Sequence, residues 1–276
     1  MSSSVSVMHN PHGSLASRRS QCLRLLTFNA QAGIHTQHYG HYLTRSWQHV
    51  IPCIAKQYNM QHIGYFLSQF DMVALQEVDG GSWRSAYQNH VELLAKLGHF
   101  PFWFQQVNRN LGRFAQHSNG LLSRWPLTHV ENHPLPGLAG RGAIFARLGQ
   151  GIDSIAIIAT HLALSRKSRI QQLDYIYELV KNYRHIIIMG DLNAPSDELL
   201  THSALKNLSL HSAQQLPTYP SWRPMRCLDH ILLSSSLTVT HVAVLEQVIS
   251  DHRPVSVDIK LPQAAENYWP PLPLPK

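Results

Sequence analysis

Short apolar runs rich in Val, Ile and Leu recur through the middle of the chain, each bounded by polar or turn-forming residues. They fall at Leu23 to Phe28, Met72 to Leu75, Phe102 to Phe104, Gly120 to Ser123, Ala143 to Leu148, Ile155 to Thr160, His185 to Met189, Leu228 to Leu233, Thr238 to Val244 and Pro254 to Ile259. Their length and β-branched content predict strands. Helical spacing appears at Ile170, Leu173, Tyr177 and Val180, with Ser165 placed to cap the start and Lys181 near the end. That spacing predicts an amphipathic helix lying against a sheet. Val91, Leu94, Ala95 and Leu97 predict another that ends at Gly98, and Trp47 to Phe66 is expected to hold one or two more. Many strands and few helices, with no repeat and no long linker, predict an α/β domain of two mixed sheets packed face to face with helices outside.

The two ends differ from this middle. Residues 1–20 are polar and Ser-rich, and residues 263–276 carry Pro270, Pro271, Pro273 and Pro275. Neither composition favours packing, so the domain is expected over residues 21–262. The longest apolar runs fall far short of the roughly 20 residues that a membrane span needs. Met1 to Gln21 lacks the hydrophobic centre of a secretory signal, so a cytoplasmic protein is expected. Cys22, Cys53 and Cys227 are odd in number and lack CxxC spacing, which predicts reduced, buried thiols. Lys plus Arg number 23 against 16 Asp plus Glu, a formal charge of +7. Such a balance favours a polyanionic partner: nucleic acid, a phosphorylated small molecule or an anionic membrane surface.

Polar, metal-capable residues stand where the predicted strands end, the place where a scaffold presents catalytic groups. Asn29, Glu77 and His161 each follow an apolar run, and Asp191 with Asn193 follows another. Asp229 opens the run to Leu233, and Asp251-His252 stands just before Pro254. Any one of these alone is an ordinary cap or turn residue. Together they suit hydrolysis at phosphorus. Glu77 and Asp251, with Asn29 as a neutral oxygen donor, fit a Mg²⁺ site, because Mg²⁺ takes hard oxygens and usually only one or two protein carboxylates. Mn²⁺ is the expected substitute. Asp191 beside Asn193 is placed to take a proton from water, and His252 held by Asp229 reads as a base or a protonated electrophile.

The ordered set Asn29, Gln76-Glu77, Ser118-Asn119-Gly120, Thr160-His161-Leu162, Gly190-Asp191-Leu192-Asn193, Asp229-His230-Ile231 and Ser250-Asp251-His252 resembles the endonuclease/exonuclease/phosphatase superfamily. The resemblance spans roughly Leu23 to Ile259. It implies a four-layered α/β sandwich and Mg²⁺-dependent hydrolysis of phosphodiesters or phosphomonoesters. It also implies that Glu77, Asn29 and Asp251 hold the metal, Asp191 activates water, Asn193 orients the phosphate, Asp229 steers His252, and His161 donates to a phosphoryl oxygen. Abasic-site endonucleases of the superfamily carry a tyrosine where His161 stands, which disfavours abasic-site repair. Gln31 stands where some members place a carboxylate, which disfavours a second metal.

Substrate contacts are expected from Gln31, Arg109, Arg113, Asn119, Arg166 and Trp222. Arg109 and Arg113 lie in a polar loop with Asn108, Asn110 and His117. Arg166, Lys167 and Arg169 open a helix at the end where the dipole disfavours cations. Plain solvated loops, or a buried Trp222, are the competing readings. The aromatic run His99 to Phe104 reads more readily as core than as a base-stacking platform. The sequence therefore points to a single-domain metal-dependent phosphodiesterase with nucleic acid as the leading substrate. A phospholipid headgroup or inositol phosphate is the alternative substrate, and a catalytically silent phosphate-binding module the alternative class.

Overall fold

A computed structural model describes residues 22–31, 54–137, 139–247 and 249–262. Both expected tails, Cys53 and residues 47–53 lie outside the described residues. Among those described, twelve strands form: β1 (Cys22–Asn29), β2 (Met72–Asp79), β3 (Phe102–Asn110), β4 (Gln116–Ser123), β5 (His129–Pro134), β6 (Gly142–Leu148), β7 (Ile155–His161), β8 (His185–Asp191), β9 (Leu210–Ser212), β10 (Asp229–Ser234), β11 (Thr238–Val244) and β12 (Val255–Lys260). The helices are α1 (Ile54–Leu67), α2 (His90–Leu97), α3 (Arg166–Val180) and α4 (Ser196–Thr201). Ten strands coincide with the apolar runs. β5 and β9 have no such run, because β5 is a largely exposed edge strand and β9 only a three-residue one.

The strands make two six-stranded sheets, ordered β11-β12-β1-β2-β4-β3 and β5-β6-β7-β8-β10-β9. Each sheet has one parallel pair at its centre, β1 with β2 and β7 with β8, flanked by antiparallel neighbours. The two sheets thus share one pattern. Between them Leu25, Ala74, Leu121, Ile144, Ile157, Met189 and Ile231 form a core with no exposure to solvent. Burying each large aliphatic side chain contributes roughly 1.5–3 kcal/mol.

Residues alternating with these face outward into two further cores. Leu26, Phe28, Val73 and Leu75 pack under Met60, Ile63 and Leu67 of α1 and Val91, Leu94 and Ala95 of α2. Ala156, Ile158, Ile186 and Ile188 pack under Leu173, Ile176 and Val180 of α3. The result is the four-layered sandwich, and it explains why the central strands read as unbroken apolar runs: both of their faces are covered. Local signals agree with this. The Asn89 side chain caps α2 by accepting from Val91 N at 2.9 Å, and Ser165 precedes α3 as expected.

One expectation is corrected. Cys22 and Cys227 are free thiols, yet each is only part-buried, because Cys22 starts its strand at the sheet's end and Cys227 lies in the loop before β10. Burial still pushes the Cys227 thiol up to about 11, leaving it a poor nucleophile at neutral pH. No helix among the described residues is long and apolar enough to cross a membrane.

Gly190 lies one residue before the end of β8, opposite Thr160 of β7. A Cβ there would sit 1.8 Å from the carbonyl oxygen of Thr160, its register partner. Gly190→Ala is therefore expected to lower folding stability by about 2–4 kcal/mol, a core-overpacking cost on a rigid backbone. Chemical denaturation measures this, and a loss under about 0.5 kcal/mol would contradict the close approach.

Candidate active site

The carboxyl ends of both parallel pairs open at the same end of the sandwich and deliver Asn29, Glu77, His161 and Asp191. The amino end of β10 and the loop before β12 add Asp229, Asp251 and His252. Asn29 Nδ2 donates to Asp191 Oδ2 at 3.2 Å, a hydrogen bond from one sheet to the other. The Ser250 hydroxyl, 2.7 Å from Asn29 O and 3.2 Å from Asp251 Oδ1, ties the last loop to β1.

Glu77 does not sit in a regular strand. Leu75 pairs with Gly120 and Val78 with Ser118, so Gln76 and Glu77 together oppose Asn119 in a β-bulge, and Glu77 has φ 54°. Such a bulge re-aims a side chain, and bulges are frequent beside active sites. Gln31 (φ 44°) and Asn193 (φ 56°) are also left-handed. Backbone strain thus gathers at the site, as expected where the surrounding structure holds functional groups in place.

Asp191 is the hub. Its Oδ2 lies 3.5 Å from His161 Nε2 and 3.8 Å from His252 Nε2. Its Oδ1 accepts the Asn193 backbone N–H at 3.1 Å, while Asn193 Nδ2 donates to Leu162 O at 2.9 Å. Burial raises the Asp191 carboxyl to about 7; His252 opposes this, and Asp229 and Glu77 add to it.

His252 Nδ1 is 2.8 Å from Asp229 Oδ2, which also accepts from Thr218 Oγ1 at 2.6 Å. The Tyr219 ring packs on the imidazole with centroids 4.8 Å apart. Burial alone would lower the His252 imidazole, but Asp229 and Asp191 outweigh it and hold it well above its ordinary value. His161 goes the other way: burial, then Arg141, His252 and His117, push it well below, so it stands neutral.

Glu77 is part-exposed, yet enough protein surrounds its carboxyl that burial, followed by the charge of Asp251, raises it; His252, Asn29 and Arg141 act against this. Arg141 is a site residue that sequence reasoning missed. Burial lowers its guanidinium, while Glu77 and Asp191 hold the charge in place. Its only sequence signal is the Gly140-Arg141-Gly142 context ahead of an apolar run.

The expected substrate contacts divide. Gln31 and Asn119 are buried beside the site, Gln31 N–H donating to Asn29 Oδ1 at 3.2 Å and Asn119 Nδ2 to Gly142 O at 2.9 Å. Arg109 lies at the rim, its stem against Gly140 and next to Arg141. Arg113 is exposed in the β3–β4 turn, and Trp222 is half-buried in the loop before β10. The cations at the start of α3 have protein partners. Arg166 faces Glu198 at 3.8 Å, and buried Arg169 binds Glu198 at 2.7 Å and the carbonyls of Ala163 and Leu164, holding the loop that follows His161. A groove of about 430 Å³ between the edge strands β3 and β5 contains none of these residues.

Among the described residues, two oxygen-rich arrangements could take a cation. Asp191, Asp229 and His252 bring ligand atoms within 4.8 Å of one another. However, an imidazolium hydrogen-bonded to Asp229 has no lone pair to offer a metal. Glu77 and Asp251, whose like charges oppose each other, offer carboxylate oxygens suited to a hard cation, while Asn29 beside them turns its Nδ2 toward the acids and its Oδ1 toward Gln31 N–H.

A sequence model of the Endonuclease/Exonuclease/phosphatase family matches residues 26–252. Uncharacterized protein YbhP of Escherichia coli strain K12 is 26% identical over 213 residues, 69% of this chain and 83% of YbhP. An endonuclease/exonuclease/phosphatase from Beutenbergia cavernae DSM 12333 superposes with a TM-score of 0.65 at 18% identity, covering 87% of this chain and 72% of its own. Mannosyl-6-phosphatase Bt3783 of Bacteroides thetaiotaomicron VPI-5482 gives 0.61 at 14% identity, with 86% and 99% covered. At such identities these structures speak to fold alone. The family match runs from β1 to His252 and takes in every strand-end residue described above, and the chain accordingly belongs to the endonuclease/exonuclease/phosphatase family of phosphoester hydrolases.

Proposed function

We propose that the protein is a Mg²⁺-dependent phosphodiesterase that acts on nucleic acid. The observation that carries this reading is the position of Asp191, a buried carboxyl whose Oδ2 accepts from Asn29 Nδ2 at 3.2 Å and lies 3.8 Å from Nε2 of His252, itself paired with Asp229, and whose proton affinity is raised by that burial. A general base is most effective when its proton affinity lies near the working pH.

In this reading Glu77, Asp251 and Asn29 hold the cation; Mn²⁺ substitutes. When bound, the ion supplies positive charge to the phosphate and its leaving oxygen. Asp191 takes the proton of the attacking water. The His252 imidazolium, aimed by Asp229, stabilises charge on a phosphoryl oxygen, and neutral His161 offers one N–H to another. Asn193, fixed by its bonds to Asp191 and Leu162, orients the phosphate, and Arg141 adds a fixed cation.

The fold does not choose the substrate, because one catalytic scaffold serves many phosphoesters. Nucleic acid is favoured by the net charge of +7 and by the exposed cations Arg109 and Arg113 on the β3–β4 hairpin. The free thiols of Cys22 and Cys227 support a reducing compartment, the cytoplasm.

Turnover of a phosphodiester is expected to vanish in excess chelator and return with Mg²⁺ or Mn²⁺. Glu77→Gln is expected to remove that response while circular dichroism stays unchanged. Full turnover without a divalent ion would sink the metal assignment.

Replacing His252 or Asp229 by Asn is expected to slow turnover by about 10²- to 10⁴-fold. The double variant should be little worse than the worse single one, because groups acting as a unit are non-additive. Multiplicative losses in steady-state kinetics would show that the two act separately.

Arg141→Gln is expected to lower kcat/KM by about 10- to 100-fold, the worth of one charge-assisted hydrogen bond to a phosphate. A change under about twofold would place Arg141 out of reach of the substrate.

A further inference from the structure

We propose that the surface beyond Glu77 stacks on unpaired bases, so that the preferred substrate is a single-stranded or locally unpaired nucleic acid; this rests on the phosphodiesterase reading above. Two segments build that surface. The loop leaving β2 exposes Trp83 (37%) and Tyr87 (63%), and the β3–β4 turn exposes Leu111 (44%) and Phe114 (68%). Trp83 N–H donates to Arg113 O at 2.7 Å and Gly80 N–H to Gln116 O at 2.9 Å, which joins the two segments at the end of the sandwich where Glu77 emerges.

The loop is held rigidly although its rings face water. The buried Asp79 carboxylate accepts from Gly81 N, Ser82 N, Ser82 Oγ and Ser85 Oγ at 2.7–2.9 Å. Ala86 and Tyr87 are both left-handed, with φ 54° and 60°, a conformation that is strained for residues other than Gly. Hydrophobic burial does not account for strain that keeps apolar rings exposed. Exposed apolar side chains on two joined segments offer a surface for an interaction, and a clamped loop lowers the entropy lost on binding.

Charge and shape narrow the occupant. Arg109 and Arg113 lie on the same hairpin, with Arg141 behind Gly140, so the patch suits a polyanion. An intact duplex presents phosphates and sugars to such a surface and keeps the faces of its bases stacked inside. A single strand presents those faces, and each base stacked on an aromatic ring is worth about 1–3 kcal/mol. A lipid surface needs only apolar bulk and tolerates a mobile loop, whereas four hydrogen bonds onto one carboxylate fix the backbone from which Trp83 and Tyr87 project.

The test measures binding of a fluorescent single-stranded 12-mer and its duplex to the full chain in chelator, so that nothing is cleaved. Tighter binding of the single strand is expected. Trp83→Ala and Phe114→Ala are each expected to weaken it by about 5- to 150-fold, with the duplex changed less and Trp83→Phe restoring most of the loss. If Trp83→Ala fails to fold, Phe114→Ala, at an exposed turn, decides the matter. Equal effects on both nucleic acids, or no effect from either variant, would overturn the proposal. So would the absence of single-strand binding alongside Trp83-dependent binding to phosphatidylserine vesicles, which would point to a membrane instead. Hydrolysis of methyl p-nitrophenyl phosphate by the wild-type protein with Mg²⁺ separates the two readings. Its failure removes the phosphodiesterase assignment, and its success without a single-strand preference removes only this inference.

Discussion

Four carboxyl groups, Glu77, Asp191, Asp229 and Asp251, are crowded into one end of a close-packed double sheet, and the rest of the site answers to that crowding. An isolated carboxylate taken out of water is strongly disfavoured and is tolerated only when paired, hydrogen-bonded or neutralised. Each remedy is present here. His252 is held as a cation between Asp229 and Asp191, Arg141 lends its charge to Glu77 and Asp191, and the Asn29 amide donates across the sheets. What remains uncompensated raises the proton affinity of Asp191 and Glu77. The Asp229 Oδ1 atom, buried without a hydrogen-bond partner among the described residues, shows how little slack is left.

Such an arrangement would drive the strand ends apart were they not fastened below. The inter-sheet core supplies the fastening: its side chains are fully buried, and it runs beneath the site from Leu25 and Ala74 to Met189 and Ile231. Because the two sheets repeat one strand pattern, the central parallel pairs place their carboxyl ends side by side. Asn29 and Glu77 of one sheet therefore meet His161 and Asp191 of the other. Left-handed backbone at Gln31, Glu77 and Asn193 is the local cost of turning these side chains inward. It is sustained by neighbours such as the Asn193–Leu162 and Asn193–Asp191 hydrogen bonds.

Much of this was legible beforehand for a definite reason. Strands covered on both faces are largely apolar, so β1, β7 and β8 announce themselves as runs, and a polar residue at the end of such a run stands out. β5 was not legible, because an edge strand that reads His-Val-Glu-Asn-His-Pro takes its conformation from pairing with β6 rather than from its own pattern. The tight backing of β8 against β7 at Gly190 was likewise invisible, although the glycine itself was in plain view.

The site divides along the same line. Residue identity and local periodicity, which depend only on near neighbours in the chain, pointed to ten of the twelve described strands, to α1, α2 and α3, and to the candidate roster Asn29, Glu77, His161, Asp191, Asn193, Asp229, Asp251 and His252. Tertiary structure decided that Glu77 lies in a bulge, that Arg141 belongs with the acids, and that His161 is neutral while His252 is charged. Register exists only between strands, and a proton affinity is set by burial and by charges a few ångströms away in space. Asn29 and Asp191 are 162 residues apart along the chain and 3.2 Å apart in the site. No local pattern in the sequence records that distance.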